Sequence, residues 1–134
     1  TGMPPFAHLG RAGIEALGAF LRAHSDQPSR AAQIDAQPQA KGDPRLGEVW
    51  YTQICSTCHG VAGDGYVAGG TGTAIGKVGL LSKSSDGFLR ETIKKGRSNT
   101  RMRGFQGVDA LANLSDQEID DIIVYLRGLQ KPSK

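Results

Sequence analysis

Apolar residues recur at three- and four-residue spacing in four stretches of this 134-residue chain, with polar residues between them. In the first, Gly13 to Arg22, Ile14, Leu17, Phe20 and Leu21 form a stripe that predicts an N-terminal helix. In the second, Asp43-Pro44 reads as an N-cap followed by proline in the first helical turn, where its missing N–H costs nothing. Leu46, Val49, Trp50 and Ile54 come next at helical spacing, so a helix is predicted from about residue 44 into the segment that holds the cysteines. A third helix begins at Ser84 or Ser85, turns Phe88, Leu89, Thr92 and Ile93 inward and stops at Gly96. Ser115-Asp116-Gln117-Glu118 has the spacing of a capping box, in which serine and glutamate satisfy each other's orphan amides. Behind it Ile119, Ile122, Ile123, Leu126 and Leu129 line one face of the last helix. The pattern is all-α.

The stretches between these helices carry other information. From His24 to Gly42 the chain turns polar, with Pro28, Pro38 and several Gln and Ala, and reads as a linker. Between Gly60 and Gly79 eight of twenty residues are glycine. Such a loop can cradle phosphate, but that needs a preceding strand and usually a lysine followed by Ser or Thr, and neither is there. Close approach of backbone to a flat ligand is the better account, because glycine places no Cβ in the way. Composition points the same way: only 38% of residues are hydrophobic and 19 are glycine, so a large buried cofactor would supply missing core. No run of eighteen apolar residues exists to span a membrane, and the N-terminus lacks the basic and apolar regions of a signal peptide. Any targeting segment is therefore expected to have been removed or to lie upstream.

Both cysteines and one of three histidines fall within Ile54-Cys55-Ser56-Thr57-Cys58-His59-Gly60. A redox dithiol of the thioredoxin kind needs a βαβ setting, and no strand-like runs of Val and Ile surround this motif. Structural zinc needs a second ligand pair, and only His8 and His24 remain, far upstream. Cys-x-x-Cys-His is instead the spacing at which two thiols add to the vinyl groups of a haem while the adjacent imidazole reaches the iron. With Cys55 and Cys58 so used and His59 on the metal, one axial position stays open. The chain has two methionines, Met3 and Met102. Met102 lies 43 residues after His59 in a Gly- and Arg-rich loop, where a core-filling role is weak, and it is the candidate second ligand. No catalytic residues are assigned.

This arrangement resembles the class I c-type cytochromes over roughly Gly42 to Gln130. The resemblance rests on the first amphipathic helix, the ICSTCHG motif, Gly63-Asp64-Gly65, Phe88-Leu89 with Ile93 to Arg97, Met102 with Phe105, and Leu114-Ser115 leading to Tyr125-Leu126-Arg127. It implies an all-α fold of helices packed around one covalently bound haem c per chain. It also implies a close crossing of first and last helices, for which Gly47, Tyr51 and Tyr125 are placed, and a site outside the cytoplasm, periplasmic or otherwise extracytoplasmic. Two positions depart from the family pattern. Arg103 follows Met102 where proline is usual, and no proline between Gly60 and Met102 offers its carbonyl to the proximal histidine. Another backbone carbonyl, within Thr73 to Leu80, is expected to orient His59.

The resulting expectation is one-electron transfer, as a carrier or relay domain of a respiratory or dehydrogenase chain, with redox proteins as partners and no call for nucleic acid. The alternative is a haem enzyme or gas or redox sensor with an open or exchangeable sixth ligand. Charge adds detail: Lys83 to Arg103 carries a balance of +5, whereas Gly104 to Leu126 carries −5. With Arg101 and Arg103 flanking Met102, positive charge is expected around the electron-exit edge, facing a partner with an acidic docking face. Finally, Met3-Pro4-Pro5-Phe6 looks like a ligand loop of the same family. Residues 14 to 22 overlay 119 to 127, pairing Ile14 with Ile119, Leu17 with Ile122, Phe20 with Tyr125 and Arg22 with Arg127. Residues 1–23 are thus expected to be the C-terminal tail of a preceding haem domain, 24–42 a linker and 43–131 the cytochrome c domain of a tandem protein.

Overall fold

The computed structural model describes residues 4–26, 28–110 and 112–129. They form helices and loops, and among the described residues the only bridge of sheet type is an isolated antiparallel one between Gly96 and Arg103. The chain divides into two compact units, residues 1–32 and 33–134. In the first, a 3₁₀ turn (Ala7–Leu9) leads into α1 (Gly10–Ala23). An Arg11–Glu15 ion pair at 2.7 Å has the i, i+4 spacing of a helix face. Its C-terminal turn is closed by His24, whose Nδ1 lies 2.8 Å from the Phe20 carbonyl. Ile14, Leu17, Phe20 and Leu21 of α1 are all exposed. Met3 lies outside the described residues.

A short helix, α2 (Ala31–Asp35), spans the division. The second unit then runs α3 (Pro44–Trp50), a π-helical turn (Tyr51–Cys55), α4 (Ser56–His59), α5 (Val78–Leu81), α6 (Asp86–Lys95) and α7 (Asp116–Leu129). Local signals set these boundaries. The Asp43 carboxylate accepts from Arg45 N at 2.8 Å and Pro44 takes the first helical position. Ser85 Oγ accepts from Phe88 N at 3.1 Å to open α6, and Gly96, with φ of +69°, ends it. At α7 the capping box is made: Ser115 N donates to the Glu118 carboxylate at 2.7 Å while Glu118 N donates back to Ser115 Oγ at 3.3 Å.

Packing centres on the crossing of α3 and α7. Gly47 faces α7 so closely that a Cβ there would overlap the Asp121 carbonyl and come within 2.9 Å of Tyr125 Cβ. One turn on, the Tyr51 ring is fully buried and lies 5.3 Å from the Tyr125 ring, centroid to centroid. Ile119, Ile122, Ile123 and Leu126 of α7 are buried with Leu81, Leu89, Ile93 and Leu114. Full burial contributes roughly 1.5–3 kcal/mol for each such aliphatic side chain. Leu46 and Val49, which with Trp50 and Ile54 gave the helical spacing of α3, remain 54% and 49% exposed. The face that α3 turns inward is Gly47 and Tyr51, because closeness of the helix axes there requires the smallest residue.

Within the stretch expected to be a linker, residues 33–42 belong to the second unit and are fastened along α6 and α7. Buried Arg90 donates to Gln37 Oε1 at 3.0 Å and to the Pro38 carbonyl at 3.3 Å, while pairing with Asp120 at 2.8 Å. Ala40 N donates to Asp86 and Asp43 N to the buried carboxylate of Asp121, each at 2.8 Å. Polar composition here serves side chain to backbone bonding across the domain surface.

Candidate haem site

The π-helical turn Tyr51–Cys55 joins α3 to α4, so that one continuous helical path carries Cys55, Cys58 and His59. A π turn adds a residue to the helical repeat and redirects the next turn of helix. Ser56 Oγ, donating to the Thr52 carbonyl at 2.6 Å, sits at the same place. Neither cysteine is in a disulfide, and both are half-buried. Burial, with the neighbouring Cys58 as a lesser cause, pushes the Cys55 thiol up to about 12. A redox dithiol needs its attacking thiol as thiolate near neutral pH, so Cys55 is poorly made for that part. Zinc fares no better, since no group of three or more His, Cys, Asp or Glu comes together among the described residues.

His59 is held by backbone. Its Nδ1 lies 2.7 Å from the Thr73 carbonyl, and since a carbonyl can only accept, Nδ1 carries the proton and Nε2 presents its lone pair. The segment expected to supply the carbonyl, Thr73 to Leu80, therefore does so with its first residue. Gly72 lies against the same ring: a Cβ there would stand 2.7 Å from His59 Nδ1 and Cε1. Gly72 N also donates to the Cys58 carbonyl at 2.7 Å.

Several glycines of the glycine-rich loop let the chain pack on itself. They meet the chain's own backbone: a Cβ on Gly63 or Gly65 would strike Gly76 or the Gly72–Ala74 strip, and one on Gly70 would strike Cys58 O. Gly76 N closes the pair with Gly63 O at 2.9 Å, and a Lys77–Asp64 ion pair fastens the same two passes. Close approach of segment 70–76 to segment 58–65 is thus what places the Thr73 carbonyl over His59. On the other side, Tyr51 Oη donates to the Gly60 carbonyl at 2.7 Å. Sequence reasoning assigned Tyr51 to the helix crossing and missed its hydroxyl.

Met102 stands on a different segment, the loop between α6 and α7. Arg97 N donates to its carbonyl at 2.8 Å and its own N–H donates to Thr100 Oγ1 at 3.1 Å. With the Gly96–Arg103 bridge, these bonds close a small hairpin that presents Met102 half-buried between exposed Arg101 and Arg103. The residues around the motif fit a haem. Two thiols and an imidazole with its far nitrogen free stand on one helical path, and Cys55 packs against the core's edge, as do half-buried Ile54, Ile75, Phe88 and Phe105.

The family model for cytochrome c matches residues 44–130. The chain belongs to the cytochrome c family. Among curated proteins this cytochrome is similar to cytochrome c4 of Thiocapsa roseopersicina, 34% identical over an alignment of 116 positions that covers 75% of this chain and 57% of that protein. The chain thus spans little more than half the length of that relative. Among solved structures, the KustC0563 c-type cytochrome aligns with a TM-score of 0.51 and 28% identity, over 63% of this chain and 98% of that one. Cytochrome cL from Methylophaga aminisulfidivorans aligns with a TM-score of 0.49 and 24% identity, over 85% and 67% respectively. The fold is the all-α one of class I c-type cytochromes, and its cofactor is haem c, one for the single Cys-x-x-Cys-His motif.

Charge is distributed less simply than the sequence implied. Members of the +5 and −5 stretches pair with one another, Arg90 with Asp120 and Lys94 with Asp116 at 2.9 Å, so the dipole along the chain is partly closed within the fold. Lys95 pairs with Glu91 and Arg97 lies over the Phe88 ring at 4.7 Å. Exposed Lys83, Arg101 and Arg103 make no ion pair among the described residues. No described helix is long and apolar enough to cross a membrane.

Proposed function

We propose that this cytochrome is a one-electron carrier or relay domain of a respiratory or dehydrogenase chain, with haem c linked to Cys55 and Cys58 and His59 and Met102 as its axial ligands. When bound, the haem supplies reversible one-electron exchange at iron without a change of ligands. The observation that carries the reading is the Thr73 carbonyl on His59 Nδ1, which fixes the tautomer and raises the basicity of the free nitrogen. Redox proteins with an acidic docking face are the partners, met by Arg101 and Arg103 beside Met102, and the setting is periplasmic or otherwise outside the cytoplasm. The absorption spectrum of the ferric protein tests ligation: a weak long-wavelength band of sulfur-bound, low-spin iron is expected. A high-spin spectrum would overturn it in favour of an open-site haem enzyme or sensor.

Residues 1–23 fit the tail of a preceding haem domain, joined through 24–42 to the domain at 43–131. Two observations support this. The apolar residues of α1 are exposed where their counterparts Ile119, Ile122 and Leu126 in α7 are buried, and the chain matches only part of its longer relative. A parent reading frame with no Cys-x-x-Cys-His within about 120 residues upstream of Thr1 would end this reading.

A further inference from the structure

Tyr51 has a completely buried side chain, and its two ends do different things. The ring packs at the helix crossing against Tyr125. A phenylalanine would serve there equally well. The hydroxyl reaches past the crossing to the Gly60 carbonyl at 2.7 Å, and Gly63 N donates to that same oxygen at 3.0 Å. Gly60 and Gly63 both have positive φ, +78° and +70°, so the segment is a tight reversal that the chain makes at once after His59. A buried hydroxyl that is fully desolvated stays only where it has a partner, since an unpaired one carries its full desolvation penalty.

We propose that the Tyr51 hydroxyl is a positioning group for the proximal ligand: by holding the Gly60 carbonyl it fixes the turn that aims His59 at the Thr73 carbonyl. The ring is then gripped from two sides. Thr73 acts on Nδ1, and Tyr51 acts on the peptide that comes after the histidine. Tyr51 thereby couples the packing of α3 on α7 to the electronic state of the imidazole. Weakening the hold lets the Nδ1–H···O bond lengthen, which lowers the basicity of Nε2 and stabilises the ferric state less, so the reduction potential rises. This inference rests on His59 as ligand.

The test is Tyr51→Phe in the haem-loaded protein, with Tyr125→Phe as the control that alters the same ring pair without touching Gly60. A low-spin wild-type spectrum with histidine on the iron is established first, and its failure would remove the ligation reading rather than this one. In Tyr51→Phe the reduced-to-oxidised ratio at fixed ambient potential is expected to increase about threefold, near 28 mV at 59 mV per decade for one electron. Tyr125→Phe is expected to leave the ratio unchanged. Lower thermal stability of Tyr51→Phe with an unchanged potential, or equal shifts in both variants, would reduce the hydroxyl to a structural part and overturn the proposal. If Tyr51→Phe does not accumulate, proton NMR of the ferrous wild type decides. A slowly exchanging Tyr51 hydroxyl proton close to Gly60 is expected, and a freely exchanging one overturns the assignment.

Discussion

A single methyl group at position 72 measures how tightly the glycine loop is drawn onto the proximal imidazole. The Cβ of Gly72→Ala would stand 2.7 Å from Nδ1 and Cε1 of His59 and 3.1 Å from the Cys58 carbonyl, so loop or ring must move. Overpacking of this kind costs about 1–3 kcal/mol, and here it also lengthens the Thr73 bond. Gly72→Ala is therefore expected to lower the melting temperature and raise the potential together. Gly79→Ala, where no atom lies within 4 Å, is expected to leave the potential unchanged and not to lower the melting temperature. If Met102 is the second ligand, as proposed, Met102→Ala is expected to keep its covalent haem, which depends on Cys55 and Cys58, but to lose a thioether that would favour ferrous iron, so its potential falls. Potentiometry on the pair separates the two effects by their opposite signs. An unchanged spectrum and potential in Met102→Ala would remove that residue as a ligand.

At the scale of helices, the glycines predict opposite signs. Gly47→Ala gains helix propensity but would place its Cβ into the Asp121 carbonyl, an atom of main chain that cannot swing aside. Gly128 lies in α7 with no neighbour within 4 Å, so alanine there gains up to about 1 kcal/mol without a clash. Thermal unfolding of the haem-loaded variants should show Gly47→Ala destabilised by at least about 1–3 kcal/mol and Gly128→Ala unchanged or more stable. The same contrast explains what the sequence could reveal. Asp43-Pro44, Ser85, Gly96 and the Ser115–Glu118 box mark helix ends because their partners lie within four residues. Gly47 and Tyr51 were legible at the crossing through the family resemblance alone, since helical spacing marks Leu46 and Val49, which stay exposed. Thr73 contributes a carbonyl, which every residue has, and so carried no signal beyond the span in which it falls. Arg90 read as one of seven basic residues, and its burial depends on Asp120 and on Gln37 and Pro38, which lie in the stretch read as a linker.

For the whole molecule, ion pairing within the fold limits the charge left to act outside it. Lys94, Lys95 and Arg90 spend their charge on Asp116, Glu91 and Asp120, so the field outside the domain owes less to them than a count along the chain suggests. Arg101 and Arg103 are exposed on either side of Met102, and opposite charges on a partner would meet them first. Steering by such charges raises association rates and is screened over about 10 Å at 0.1 M salt. Association with an acidic redox protein, measured by stopped-flow absorbance, should thus slow as ionic strength rises. Arg101→Glu and Arg103→Glu should each slow it further at low salt and flatten the salt dependence. Lys94→Gln should act mainly on stability, by freeing Asp116, whose carboxyl is held below its usual range first by the Gln106 hydrogen bond and then by Lys94. If Lys94→Gln slows association as much as the arginine variants do, pairing with Asp116 does not neutralise Lys94 toward a partner. An on-rate indifferent to salt in all of them would leave the arginines around Met102 as an ordinary solvated face.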